Sequence, residues 1–316
     1  MSYSQSHDLS SFADVVYISY DEPNSEENFF DLATKIPFAK RIHGIKGFDF
    51  AHRAAANICD KNFVFIIDGD NKVHDDFVNL NVGDLPVNGK NILSWGAQNV
   101  INGLIYGNGG VKLWPTDVLQ RVKCHDDGSS TDWFYKIPFT LMNDYLSDSI
   151  CNASPLQAFR TGFREGVKLC LNEYGAPYPQ LKKNVHQISK NNLRRLIIWM
   201  SVGLDITNGI YAIFGARLAF LKILCESNFD YTKISDYEWF KILWDGELSY
   251  VRDGHFREHF QRMAIDIRQI TGLPVSDLDI NQSKFAKFIT YNPPRLGANA
   301  LINEAISLEE LKRGKV

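Results

Sequence analysis

The sequence predicts an α/β protein: a mixed, mainly parallel sheet flanked by helices, with a helical C-terminal extension. Three observations point there. Short apolar, β-branched runs alternate with helical patterns over the first hundred residues, the order that gives parallel strands joined by crossovers. One run, Phe63-Val-Phe-Ile-Ile67, is apolar throughout, as expected of a central strand covered on both faces. The later part of the chain is helical in pattern. A soft boundary therefore divides residues 1–185, the α/β part, from residues 186–316, mainly helical.

Asp14-Val-Val-Tyr-Ile-Ser-Tyr20 reads as the first strand. Asn24 with Glu27 three residues on resembles a capping box and opens a helix to about Lys35. Ala39-Lys-Arg-Ile-His43 is a second strand ending at Gly44, residues 50–59 a second helix, and residues 63–67 the third strand. A further strand is expected at 91–95, a glycine-rich loop at 103–110, and a short helix opening at Pro115-Thr116-Asp117. Ser154-Pro155 joins a side-chain cap to a first-turn proline. The helix it starts runs to about Leu171, with an apolar stripe of Leu156, Phe159, Phe163, Val167 and Cys170. From about residue 191 to 272 the chain is helical.

A length of 316 residues allows two domains at most. Lys and Arg number 34 against 37 Asp and Glu, and the formal charge of −3 excludes a uniformly basic nucleic-acid coat but not a local basic face. Cys59, Cys124, Cys151, Cys170 and Cys225 show no metal-finger spacing, so reduced thiols in a cytoplasm are expected. The first eleven residues are polar and carry no secretory pattern. Residues 196–224 are apolar over a length that would cross a bilayer, but Asp205, Asn208 and Arg217 interrupt them. Charges at that depth cost about 2.5–3.5 kcal/mol each. Two buried helices joined near residues 205–208, with no membrane partner, are the expectation.

Ile66-Ile67-Asp68-Gly69-Asp70-Asn71 is the most informative segment. Open α/β sheets place ligands at the carboxyl edge of their strands, so Asp68 and Asp70 would point into the crevice, with Gly69 allowing the turn between them. Paired carboxylates suit Mg²⁺ or Mn²⁺, which take oxygen ligands and can neutralise charge on a departing diphosphate. The competing reading is an ordinary Asp-Gly turn.

At these residues the chain resembles a known family. Val15-Val-Tyr-Ile-Ser-Tyr-Asp-Glu-Pro-Asn24 is similar to the first strand and loop of glycosyltransferases with the GT-A fold, a Rossmann-type sheet. Arg41-Ile-His-Gly-Ile-Lys-Gly47, Ile67-Asp-Gly-Asp70 and Tyr106-Gly-Asn-Gly-Gly-Val-Lys-Leu-Trp114 resemble a subgroup from tailed phages and marine bacteria. So do Cys151-Asn-Ala-Ser-Pro155, Phe163-Arg-Glu-Gly-Val-Lys168 and Asn208-Gly-Ile-Tyr-Ala-Ile-Phe-Gly-Ala-Arg217. The resemblance spans roughly residues 14–217. It implies transfer of a sugar from a nucleotide diphosphate sugar, expected to be a UDP-sugar, to a hydroxyl acceptor, with Mn²⁺ or Mg²⁺. A phage-encoded chain would work in the host cytoplasm.

On this resemblance Ser19, Tyr20, Asp21, Arg41 and Lys46 would cradle the donor. Asp68 would lie near the ribose or sugar and share the metal with Asp70. A third metal ligand stays open among His125, His186 and His255. Gly109, Gly110, Lys112 and Trp114 would contact acceptor or donor sugar. Each has a plain competitor: Asp21, Glu22 and Lys46 as solvated charges, Arg41 as a surface strand residue, Trp114 as core. An inverting transfer needs a general base, and two acids compete, Asp132 in a loop-like segment and Glu165 on the helix after Pro155. A retaining transfer needs neither.

Arg160, Arg164 and Lys168 recur at spacings of four on that helix, and residues 174–204 contain Lys182, Lys183, Lys190, Arg194 and Arg195 with no acid. Together these would form a surface for a polyanionic acceptor. With the resemblance, the preferred acceptor is 5-hydroxymethylcytosine in double-stranded phage DNA, its base rotated outward to react. A glycan or small acceptor is the alternative, and a solvated helix start is the plain reading. A nucleotidyltransferase would need a glycine-rich basic loop after the first strand, where Tyr20-Asp-Glu-Pro-Asn24 stands instead. A non-catalytic DNA- or partner-binding module is the third class.

Overall fold

A computed structural model describes residues 8–106, 109–124, 133, 136–252 and 254–291. The chain divides into two compact units, Met1–Val100 with Ile105–Ala153, and Ile101–Leu104 with Ser154–Val316. This division falls at the capped proline start, Ser154-Pro155; the change in sequence pattern near residue 185 lies inside the second unit.

The first unit is built on one sheet. After α1 (Leu9–Phe12), β1 (Ala13–Ser19), β2 (Lys40–His43) and β3 (Phe63–Asp68) alternate with α2 (Ser25–Lys35) and α3 (Phe48–Asn57). Then come β4 (Asn71–Val73), α4 (Asp75–Val78), β5 (Ile92–Asn99), β6 (Ile105–Tyr106), β7 (Val111–Pro115), α5 (Thr116–Gln120) and β8 (Phe139–Ser149). The strand order is β2-β1-β3-β7-β5-β8-β4, with β6 paired to β5. Strands β1, β2, β3, β5 and β8 run one way along that path, and β4 and β7 the other. This is the mixed, mainly parallel sheet that the sequence predicts.

Alternation along the strands fills both faces. Val15, Tyr17, Phe65 and Ile67 pack with Phe77, Trp95 and Leu113 on one side. Val16, Val64 and Ile66 pack with Ala55, Ala56, Trp114 and Leu119 on the other. The Asn24–Glu27 box does not form. Asn24 precedes α2, but its amide is drawn away to donate to the Ile150 carbonyl at 2.9 Å.

The sheet must curl at one rim. Gly69 and Asp70 alone join β3 to β4, yet β7, β5 and β8 lie between those strands. Four steps across a flat sheet span about 19 Å. Three Cα–Cα steps reach at most about 11 Å. The strand ends accordingly converge: Asp68 N–H donates to Gly110 O at 3.4 Å, Ile150 N–H to Asp70 O at 2.7 Å, and Ser147 Oγ to Asn71 Oδ1 at 2.9 Å.

The second unit is helical: α6 (Pro155–Lys168), α7 (Lys190–Trp199), α8 (Gly209–Cys225), α9 (Tyr237–Arg252), α10 (Phe256–Thr271) and α11 (Ile280–Tyr291). Ser154 caps α6 as expected, accepting from Gln157 N–H at 3.1 Å. The stripe residues Phe159, Phe163 and Val167 pack against Phe214, Phe240 and Trp244. Helices α6 and α8 meet backbone to backbone, because a Cβ on Gly162 would lie 1.9 Å from Ala212 O and one on Gly215 2.2 Å from Phe159 O.

Arg217 explains the apolar stretch. Its guanidinium is fully buried, donates to the carbonyls of Met200, Phe260 and Ser276 at 2.8, 2.9 and 3.1 Å, and pairs with Asp277 at 2.7 Å. Burial lowers its pKa to about 10 against the pull of Asp277. The stretch is two helices, α7 ending at Trp199 and α8 opening at Gly209. Among the described residues no helix is long and apolar enough to cross a membrane. All five cysteines are free thiols.

Candidate functional site

Ser19, His43 and Asp68 end three neighbouring parallel strands. Because β1 lies between β2 and β3, successive connections leave it in opposite directions. The crevice beyond the carboxyl ends of β1 and β3 is the position where open α/β sheets take ligands. Residues 20–24 leave β1 at this edge, and Gly69 and Asp70 leave β3 beside them.

The turn after β3 is pinned from below. Gly69 O accepts from the Tyr17 hydroxyl at 2.5 Å and from Asn28 Nδ2 at 3.2 Å. A Cβ at position 69 would meet Glu22 Oε2 at 2.8 Å and Ser19 Cβ at 2.9 Å, so glycine lets the two loops close on each other. Burial drives the Tyr17 phenol pKa up, and the carboxylates of Glu22 and Asp70 push it further, which keeps the hydroxyl a neutral donor.

The two aspartates sit in different surroundings. Asp68 Oδ2 accepts from Lys112 Nζ at 2.6 Å, and the lysine side chain is 3% exposed against 35% for the aspartate. Asp70 is steadied by neutral donors, Asn71 Nδ2 at 2.7 Å and Ser149 Oγ at 3.4 Å. Among the described residues no three His, Cys, Asp or Glu side chains gather into a metal-binding group.

On β2, Arg41 is a fixed cation. It pairs with Glu26 at 2.7 Å, donates to Ser19 Oγ at 3.1 Å, and lies over the rings of Phe29 and Tyr17. The hydrogen bond to Glu26 raises its pKa despite partial burial. Ser19 Oγ also lies 2.9 Å from His43 Nδ1. Tyr20 is half-buried, whereas Asp21 and Lys46 are exposed.

No protein-family profile and no curated protein matches this chain. Solved structures do. A glycosyltransferase involved in glycosylation of the major capsid of PBCV-1 is 11% identical over 34% of this chain and 62% of its own, with a TM-score of 0.23. S. aureus TarS residues 1–349 in complex with UDP-GlcNAc is 10% identical over 82% of this chain and 92% of its own, with a TM-score of 0.34. A second structure of S. aureus TarS is 11% identical over 71% of this chain and 55% of its own, at 0.33. Scores this low carry no functional weight, so the site itself must.

The structure gathers Ser19, Arg41, Asp68, Asp70 and Lys112 at one rim of the first unit. Three expectations change. Trp114 is fully buried in the core beside Trp133 and His52, where no sugar can stack on it. Gly110 makes room for protein: a Cβ there would fall 2.0 Å from Ser147 Oγ and 2.5 Å from Asn71 Oδ1. Gly109 is half-buried beside it. Arg160 is no surface cation, being buried with its guanidinium 4.0 Å from the Tyr237 ring centre.

Arg164, Glu165 and Lys168 are half-buried on α6 in the second unit, and His186 and His255 are exposed there. Asp132 and His125 lie outside the described residues. Sequence reasoning missed the Lys112–Asp68 pair and the roles of Tyr17, Asn28 and Ser149. One signal for Lys112 was available, a lysine inside an otherwise apolar strand between Val111 and Leu113.

Proposed function

We propose that this chain is a GT-A-like glycosyltransferase that moves a sugar from a UDP-sugar to a hydroxyl acceptor, assisted by Mn²⁺ or Mg²⁺. One observation carries the reading. Two carboxylates one residue apart, Asp68 and Asp70, stand at the rim of β3 beside the switch point, in a turn pinned by Tyr17 and Asn28.

The donor set fits the ion. Both aspartates offer hard oxygen ligands, and Asn71 and Ser149 donate to the Asp70 carboxylate. Mg²⁺ and Mn²⁺ use one or two carboxylates and complete their shell with water and substrate phosphates, so no third protein ligand is required. When bound, the ion supplies neutralising charge for the diphosphate leaving group. Asp70 holds it, Asp68 takes the ribose or sugar side, and Arg41 with Ser19 orders the wall formed by β1 and β2. A nucleotidyltransferase is disfavoured by the acidic, glycine-free loop after β1.

For the acceptor we keep 5-hydroxymethylcytosine in phage DNA. Its support is the sequence resemblance and the acid-free stretch with exposed Lys182, Lys183 and Lys190. The burial of Arg160 removes one cation from that case and gives a glycan or small acceptor more room. Mass spectrometry with a panel of UDP-sugars, offered to hydroxymethylated and plain DNA, tests both halves. Sugar on modified DNA alone supports the DNA reading, and none on any DNA removes it. Asp70→Ala should abolish metal-dependent donor turnover with an unchanged circular dichroism spectrum. Full activity in that variant would defeat the mechanism.

A further inference from the structure

His43 closes β2, is exposed, and has no part in the reaction set out above. Its Nδ1 lies 2.9 Å from Ser19 Oγ and 3.2 Å from an Arg41 terminal nitrogen. A guanidinium only donates, so Nδ1 must accept from it. Arg41 Nε–H also donates to Ser19 Oγ at 3.1 Å, which leaves the serine hydroxyl its own hydrogen for Nδ1. A proton on Nδ1 would face the guanidinium. The neutral ring therefore carries its hydrogen on Nε2, and among the described residues that N–H meets no acceptor. Arg41, by contrast, is committed. Its two terminal nitrogens donate to Glu26 at 2.9 and 2.7 Å, and one of them lies 3.4 Å from Ser25 Oγ. The fork is spent on the protein rather than open to a phosphate.

We propose that His43 contacts the nucleoside of the donor, giving its Nε2–H to a carbonyl oxygen of the base, and that Arg41 and Ser19 are positioning residues that act through it. The place follows from the sheet. His43 ends β2 and Asp68 ends β3, with β1 between them, so two strand spacings, about 10 Å, separate them. Ser19 fills the interval, against His43 on one side and the Gly69 turn on the other. A phosphate held at the acidic turn is out of reach of His43, whereas the base of an extended nucleoside diphosphate is within it. Uracil offers carbonyl oxygens there, and a ring fixed as an Nε2–H donor selects an acceptor. The proposal rests on the UDP-sugar reading and deepens it.

The test is UDP binding by calorimetry on the full chain with Mn²⁺ present. Wild type, His43→Leu, His43→Gln, Arg41→Met and the double variant Arg41→Met with His43→Leu are compared, each checked for folding by circular dichroism. His43→Leu should lose about fivefold or more in affinity, the effect of one hydrogen bond. A glutamine amide can place an N–H near that of Nε2, so His43→Gln should stay within about threefold of wild type. Arg41→Met should lose about threefold or more beside His43, and less than about twofold beside leucine, where nothing is left to position. Nitrogen NMR of the free protein, with His43 assigned by its loss in His43→Leu, should show the ring hydrogen on Nε2, and a mixture of tautomers in Arg41→Met. A His43→Leu protein that binds UDP as wild type does, a glutamine no better than leucine, or a hydrogen on Nδ1 would overturn the proposal, while wild-type binding keeps the donor reading standing. Equal losses from Arg41→Met in both backgrounds would put the guanidinium on the donor itself and overturn its positioning role. If Arg41→Met does not fold, the two His43 variants and the wild-type tautomer decide. A wild type that does not bind UDP defeats the donor reading and the nucleoside contact with it.

Discussion

Removing Asp68 should break the fold before it touches the chemistry. In Asp68→Ala the Lys112 ammonium, 3% exposed, loses its partner at 2.6 Å. With an effective dielectric of about 20 that contact is worth about 6 kcal/mol of attraction, before counting the solvation that either ion would regain. Breaking a buried pair typically costs about 3–5 kcal/mol. The 35% exposure of Asp68 sets the expectation at the lower end. About 3 kcal/mol corresponds to a fall of about 6–12 °C in melting temperature for a unit of this size. Adding Lys112→Met should restore most of that, because a thioether of similar length can remain in the same slot. Differential scanning calorimetry of the wild type, both single variants and the double gives the coupling directly. An Asp68→Ala protein that melts with the wild type, or a double variant no more stable than Asp68→Ala, would refute a buried, interacting ammonium. The practical corollary is that lost activity in Asp68→Ala alone says little about catalysis.

Three further outcomes are expected. Gly162→Ala drives a methyl into the Ala212 carbonyl and should cost about 1–3 kcal/mol or more in urea melts, whereas Gly246→Ala, with open space at its Cβ, should stabilise by about 0.5–1 kcal/mol; equal effects would contradict the α6–α8 contact. Arg217→Met strands three carbonyls and Asp277, and should lower unfolding free energy by about 3–5 kcal/mol; a loss below about 1 kcal/mol would show that the buried guanidinium is not the hub described. Burial lowers the His259 pKa below 6.5, against a weaker upward pull from Asp266, so the unfolded chain takes up the proton first. Stability present above pH 6.5 should fall as the solution is acidified, and His259→Gln should flatten that slope between pH 8 and 5.5; parallel slopes would rule this residue out.

What could be read without coordinates was governed by periodicity. Strands β1 and β3 were legible because their residues are nearly all apolar or β-branched, and α6 because Ser154-Pro155 announces it. Strand β8 was not, since its first half is exposed and mixes Leu141 with Thr140, Asn143 and Asp144, which carries neither alternation nor a buried run. Strand β7 hid behind glycines that looked like a ligand loop, although Gly110 serves the packing of Ser147 and Asn71. Asp68 and Asp70 could be singled out because their chemistry is written in adjacent letters. Lys112, 44 positions later in the chain, could not be joined to them until the antiparallel register of β3 and β7 set it opposite Ile66. For Trp114 the sequence left a sugar-facing and a core place open for a related reason: an aromatic residue shows its type in the sequence, but not which face of a strand it occupies.

The two-residue link between β3 and β4 has a consequence for how such a protein can change over evolutionary time. The acidic turn and the closure of the sheet are one object, so a lengthened link would slacken the rim. Variation should therefore accumulate as exchanges of side chain, with positions 68 and 112 changing together and the number of residues between the two strands held constant. Loops on the far ends of the strands carry no such tether, and insertions are free to collect there.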